Sequence, residues 1–165
     1  MPENTTIIFR EYDLNYNKRL KMAKEIKKIA RKNHLTLLIG KNIKLAKEIK
    51  ADGVHFSDQE KSWRKYLRYK KNNKKLTLSC SCHNEPSIKK ANKLLIDIKF
   101  ISPIFLTKSY SENQTIGTKK LSKKIKNNIN QNIIPLGGVN SLNIKLLQKI
   151  KINSMAGISF FNTFN

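Results

Sequence analysis

Arg10, which follows an apolar run from Thr6 to Phe9, is the first of several polar or glycine-rich points that close short apolar runs along this chain. Ser81 closes a fourth run. The fifth leads into Ser102-Pro103-Ile104-Phe105-Leu106-Thr107-Lys108-Ser109-Tyr110, a loop with hydroxyls and a cation. Gly137-Gly138 follows the sixth run and Ser159 ends the seventh. A guanidinium, hydroxyl donors and backbone amides that glycine leaves open to close approach are what a phosphate ester needs. Taken singly each is a weak signal, because Gly-Gly is more often a turn and Ser or Thr more often a cap. The Cys80-Ser81-Cys82-His83 run lacks a second ligand pair spaced for zinc. Its i, i+2 thiols are poorly placed for a disulfide and are expected to pack as small apolar groups. No Gly-x-Gly-x-x-Gly follows a strand and no Walker loop occurs, which excludes the usual dinucleotide and P-loop sites.

The apolar runs that carry these residues read as strands: Thr6–Phe9, Leu35–Ile39, Gly53–Phe56, Leu76–Cys82, Ile98–Ser102, Ile133–Leu136 and Met155–Ser159. Amphipathic stretches lie between them. Leu20, Ala23, Ile26 and Ala30 recur at spacings of three and four and define one buried face. Ile43, Ala46 and Ile49 mark a second helix, Trp63, Tyr66 and Leu67 a third, and Ile88, Ala91 and Leu95 a fourth that Pro86 opens. Leu121 and Ile125 mark a fifth. A sixth runs through Leu146, Leu147 and Ile150, with Asn140 or Ser141 placed to cap it. This strand–helix alternation predicts parallel βαβ construction, either a doubly wound sheet or a (βα)8 barrel. With about seven strands, a barrel would have one βα unit missing or outside the chain. Sites in such folds gather at strand C-terminal ends, where the phosphate-binding candidates fall.

The chain has 165 residues with 34 Lys plus Arg against 11 Asp plus Glu, a formal charge of +23. That length predicts a single domain, and 39% hydrophobic residues suffice for a core. No apolar run approaches the roughly 20 residues of a membrane span, and Met1 to Glu11 lacks the pattern of a secretory signal. Cytoplasm is the expected compartment. Lys18, Lys47, Lys89 and Lys149 fall on different elements, so the charge is spread and not gathered into a nucleic-acid-binding stripe. A diffuse positive field still attracts phosphorylated small molecules.

The residues resemble the thiamine-phosphate synthases and their thiazole tautomerase (TenI) relatives, over nearly the whole chain. Phe9-Arg10-Glu11 is similar to that family's Gln-x-Arg-x-Lys strand end, and Ala51-Asp52-Gly53-Val54-His55 to its Ala-Asp-Gly-Val-His segment. Ser81-Cys82-His83-Asn84 resembles its Ser-x-His-x turn. Ser102 to Ser109, with Gly117 following, resembles its Gly-Pro-x-(Phe/Tyr)-x-Thr-x-(Thr/Ser) loop. Pro135-Leu136-Gly137-Gly138-Val139 and Ala156-Gly157-Ile158-Ser159 complete the order. The resemblance implies a (βα)8 barrel whose second strand is this chain's first. It implies a transferase in which the nitrogen of thiazole phosphate displaces pyrophosphate from hydroxymethylpyrimidine diphosphate, with Mg2+ holding the pyrophosphate. Arg10, Ser81, Thr107 and Ser109 are then the catalytic candidates, with Lys41 and Lys108 beside them on the diphosphate. Gly137, Gly138, Ile158 and Ser159 would hold the thiazole phosphate.

The departures are specific. Ile8 and Tyr12 replace the Gln and Lys that flank the arginine, and Gly40-Lys41 replaces an Asn-Asp pair whose Asp is a metal ligand. Glu60, or less well Asp58, aligns with the other metal carboxylate. Tyr110 stands where a Lys follows the Thr-x-Thr pair, with Lys108 as its substitute, and the tautomerase histidine aligns near Pro103. Lys41 is therefore a candidate to neutralise pyrophosphate itself. Three readings follow: a synthase, a non-catalytic phosphate-ligand binder that keeps Gly137, Gly138 and Ser159, and a charge-driven nucleic-acid binder, disfavoured by the scattered lysines. Unpaired edges on the first and seventh strands would favour a homo-oligomer.

Overall fold

Asparagine, over-used in this chain, is placed where a short amide side chain stabilises most, at helix starts. The structure, a computed structural model, describes residues 4–107, 115–126, 132–150, 152 and 154–158. Strand β1 (Thr6–Phe9) leads to helix α1 (Tyr16–Lys32), β2 (Thr36–Gly40), α2 (Ile43–Glu48), β3 (Gly53–Ser57) and α3 (Arg64–Lys71). Then come β4 (Thr77–Cys82), α4 (Glu85–Lys93), β5 (Ile98–Ile101), α5 (Gly117–Lys126), β6 (Ile133–Pro135) and α6 (Ile144–Gln148). Asn15, Asn42 and Asn84 each accept a hydrogen bond from the amide three residues on, at 3.0, 2.9 and 2.9 Å. Such caps satisfy amides that no helical carbonyl reaches. Pro86 opens α4 as expected, within a capping box of Asn84 and Ser87.

The chain divides into two compact units, residues 1–79 and 80–165. In the first, strand order is β1-β2-β3-β4, with β1 parallel to β2 and β2 parallel to β3. In the second, β5 is parallel to β6. This is the α/β construction of a TIM-type barrel. Leu37, Leu38 and Ile39 are all fully buried, the mark of a strand covered on both faces. Phe56 stacks on Tyr66 at 4.3 Å and meets Trp63 edge-on at 5.0 Å, rooting α3 on β3. In the second unit Cys80 and Cys82 are free, buried thiols, packed as expected for small apolar groups.

The segment expected as a seventh strand behaves differently. Residues 154–158 form no strand, and Ser159 lies outside the described residues. Among the described residues, the Ala156 N–H donates to the Pro135 carbonyl at 2.9 Å and joins this segment to β6. That strand spans three residues and ends on a proline, so it offers little ladder to extend. The α6 start also differs in detail: Asn140 Oδ1 accepts from the amides of Leu142 and Asn143 at 2.9 and 3.1 Å, in the turn just before the helix. Among the described residues no helix is long and apolar enough to cross a membrane.

The register in the first unit sets one end of the sheet. Phe9 lies opposite Ile39, and Gly40 opposite His55, so Arg10 and Lys41 follow the C-terminal ends of β1 and β2, and His55, the middle residue of β3, lies level with the end of β2. Asp52 holds this arrangement from the opposite end. Its carboxylate accepts the Leu37 amide at 2.8 Å and pairs with Lys27 of α1 at 2.8 Å, while the Asp52 amide donates to the Leu37 carbonyl. Replacing Asp52 by Ala leaves the buried Leu37 amide without its acceptor. The Asp52→Ala protein is expected to lose about 2 kcal/mol, read as a lower urea midpoint at unchanged slope.

Candidate active site

Tyr12, just beyond β1, gathers three cations of the first unit around one ring. Arg10 Cζ stands 5.4 Å from the ring centroid, Arg19 Cζ 5.3 Å and Lys41 Nζ 5.3 Å. Each distance is within cation–π range, where the negative ring face offsets part of a positive charge. Arg10, Tyr12 and Lys41 are exposed, whereas Arg19 is only 7% exposed on the buried side of α1. Its Nη2 donates to the Gly40 carbonyl at 2.7 Å and its guanidinium lies 5.7 Å from the Phe9 centroid. Burial presses the Arg19 pKa down, opposed by Tyr12 and Glu11.

Lys41 occupies the left-handed region at φ 58°, with its amide donating to the His55 carbonyl at 2.7 Å. Beside it, a Cβ on Gly40 would stand 2.6 Å from the Tyr12 hydroxyl, the far end of an exposed side chain, and 3.1 Å from the Phe9 carbonyl oxygen. His55 is buried, with Nδ1 2.9 Å from Ser79 Oγ. Burial first, then the charges of Arg10 and Lys41, push its pKa down to about 3, so the imidazole is neutral. Glu60 is half-buried; it accepts from Tyr66 Oη at 2.8 Å and pairs with Lys65 at 2.7 Å. Although burial opposes ionisation, Lys65, Tyr66 and Lys41 together hold its pKa below the ordinary carboxylate value. Tyr66 is correspondingly raised, by burial and then by Glu60.

In the second unit, Ser81 is half-buried and is the penultimate residue of β4, one position before its end. Gly137 and Gly138 follow β6 at φ 94° and 70°, which suits glycine. A Cβ on Gly137 would come 3.0 Å from Pro103 Cα, and one on Gly138 2.7 Å from the Phe105 carbonyl carbon. The glycines thus admit the Pro103–Leu106 segment, bound through Phe105 N–H to the Gly137 carbonyl at 3.0 Å. The Gly138 carbonyl accepts from Asn143 Nδ2 at 2.7 Å. Close backbone packing brings the Gly-Gly turn against the segment that leads to Thr107, which is half-buried. Ile158 is 80% exposed. Lys108, Ser109 and Ser159 lie outside the described residues.

Sequence reasoning did not single out Arg19, His55 or Tyr12 for the site. Arg19 could have been found, since it stands four residues before Ala23 on the buried face of α1. A charged residue on such a face needs a partner.

A family model described as thiamine monophosphate synthase matches residues 2–161. The chain belongs to the thiamine monophosphate synthase family. A candidate thiamine-phosphate synthase 2 of Aquifex aeolicus is 36% identical over 152 residues, covering 92% of this chain and 80% of that protein. The thiamine-phosphate synthase of Lactococcus lactis is 30% identical over 146 residues, covering 88% of this chain and 66% of the relative. In fold, a thiamine phosphate pyrophosphorylase from Pyrococcus furiosus matches at a TM-score of 0.80 and 19% identity, over 94% of this chain and 73% of that one.

The Mg2+ that this family resemblance implies meets an ill-matched set of residues here. The resemblance places Lys41 at the position of one metal carboxylate and Glu60 at the other, and Glu60 is engaged by Lys65 and Tyr66. No group of three or more His, Cys, Asp or Glu residues able to hold a metal occurs among the described residues. Neutral His55 also lies in the field of Arg10 and Lys41, which repels a cation.

The buried imidazole gives a measurable pH dependence. Its folded pKa lies below its unfolded one, so the unfolded chain binds the extra proton and stability falls as pH drops below about 6.5. This loss approaches about 1.4 kcal/mol per pH unit. Urea midpoints followed from neutral to acid pH are expected to fall less steeply in His55→Gln than in the native protein. Parallel curves would contradict the assignment.

Proposed function

We propose that this protein forms thiamine phosphate by joining hydroxymethylpyrimidine diphosphate to thiazole phosphate. The thiazole nitrogen supplies the electron pair for the new C–N bond. The bond between the pyrimidine methylene carbon and the diphosphate oxygen breaks, and pyrophosphate leaves with the electron pair of that C–O bond. The reaction therefore needs positive charge where the leaving group becomes more negative. The observation that carries the reading is the set of cations at the strand ends of the first unit, with Arg10 in the strand-end motif of this family.

Each residue has a proposed part. In the first unit Arg10 and Lys41 bind the diphosphate; in the second, Ser81, Thr107, Lys108 and Ser109 are read as donors to phosphorylated substrate. Gly137 and Gly138, with Ile158 and Ser159, hold the thiazole phosphate. Glu60, the residue aligned with a metal carboxylate, is read instead as the partner of Lys65 and Tyr66, and no step here is routed through Mg2+. The substrates are phosphorylated small molecules, the compartment is the cytoplasm, and a homo-oligomer would cover the edge of β1.

Incubation of the two substrates with the purified protein is expected to yield thiamine phosphate and pyrophosphate in equal amounts. Arg10→Ala should lower kcat/KM by about 100-fold, the order expected when a charge-stabilising group is lost. Absence of product, or an Arg10→Ala variant with native kinetics, would overturn the proposal.

A further inference from the structure

Three cationic side chains are drawn together at the Tyr12 ring. Arg10 and Lys41 are exposed, they face the same ring at 5.4 and 5.3 Å, and neither is ion-paired among the described residues. The third cation at the ring, Arg19, spends its Nη2 on the Gly40 carbonyl, and its buried Nε has no hydrogen-bond partner. Mutual repulsion would let the two exposed side chains drift apart into water. Contacts that work against this drift are built into the backbone. The left-handed turn at Lys41 is bonded through its amide to the His55 carbonyl, and its own carbonyl lies 3.4 Å from Tyr66 Oη.

Glu60, a carboxylate in electrostatic reach of Lys41, already accepts from Tyr66 and pairs with Lys65. A divalent cation entering here would face three positive side chains and a neutral imidazole. A diphosphate, carrying about three negative charges near neutral pH, would meet complementary charge on two sides.

We propose that Arg10 and Lys41, held on the Tyr12 ring, form a metal-independent binding site for the diphosphate group, with Lys41 supplying the charge that a divalent ion would otherwise bring. The inference rests on the proposed reaction for the identity of the diphosphate, but its test does not need turnover. Arg19 is a positioning residue, setting the Gly40–Lys41 turn without touching the ligand.

The test is calorimetric titration of the full chain with inorganic pyrophosphate, once in EDTA and once with excess Mg2+. Binding in EDTA is expected, with Mg2+ giving no tighter affinity because it neutralises the ligand in solution. Lys41→Ala is expected to weaken binding by about tenfold or more, the loss of one charge-assisted contact. Lys74→Ala, an equal loss of charge in the turn after α3, should leave it unchanged. Arg19→Lys keeps the charge but not the planar donor set, and is expected to weaken binding while Arg10 and Lys41 are intact.

Binding that requires Mg2+, no binding in either condition, or equal losses in Lys41→Ala and Lys74→Ala would each overturn the proposal. A protein that makes thiamine phosphate only with Mg2+ would sink this inference and leave the reaction standing. One that binds pyrophosphate in EDTA but makes no product would do the reverse.

Discussion

A guanidinium that is 7% exposed must be compensated locally, and the compensation of Arg19 organises the active end of the first unit. Its hydrogen bond to the Gly40 carbonyl ties α1 to the end of β2. Its approach to Phe9 and Tyr12 ties the same side chain to the end of β1. Two strand ends that carry Arg10 and Lys41 are thereby located from one residue on a helix. The absence of a side chain at Gly40 lets the Tyr12 hydroxyl lie where a Cβ would be. The contact with Tyr12 explains why an aromatic residue suits position 12: a flat ring can face several cations, and a lysine there would add one more charge to them.

Charge has thus been rearranged without being lost. Where the family resemblance implies a lysine after the arginine and an aspartate after the next strand, this chain has Tyr12 and Lys41. One substitution removes a cation and the other replaces an anion with a cation, and the ring from the first supports the ammonium from the second. His55 is the buried neighbour that feels the result, its imidazole held neutral by burial and by these two charges. The Ala51–His55 segment divides its work accordingly. Asp52 anchors α1 and β2, Gly53 admits the neighbouring backbone, and His55 faces the cationic end.

Most of the element order was legible because short apolar strands of three to six residues alternate with helices of clear period. All six strands seen lie within two residues of their expected ends. The seventh was misread because Met155 and Ile158 are apolar enough to suggest a strand, whereas a strand needs a ladder, and β6 ends on Pro135 after three residues. For the site, the identities of Arg10 and Lys41 could be read from their positions after apolar runs. Their convergence on Tyr12 could not, because it depends on register between strands about 30 residues apart in sequence. Gly137 and Gly138 were legible as a turn, but their close fit against Pro103–Leu106 is a tertiary fact.

The central claim is that this family member meets a diphosphate with side-chain cations set on an aromatic ring. A crystal structure with inorganic pyrophosphate, grown and soaked in metal-free buffer, tests it most directly. The account predicts diphosphate oxygens within hydrogen-bond distance of Arg10 and of Lys41 Nζ, with Tyr12 beneath and no ion between. A diphosphate seated away from Tyr12, or one that appears only when Mg2+ is added and is bridged by the ion to Glu60, would contradict it.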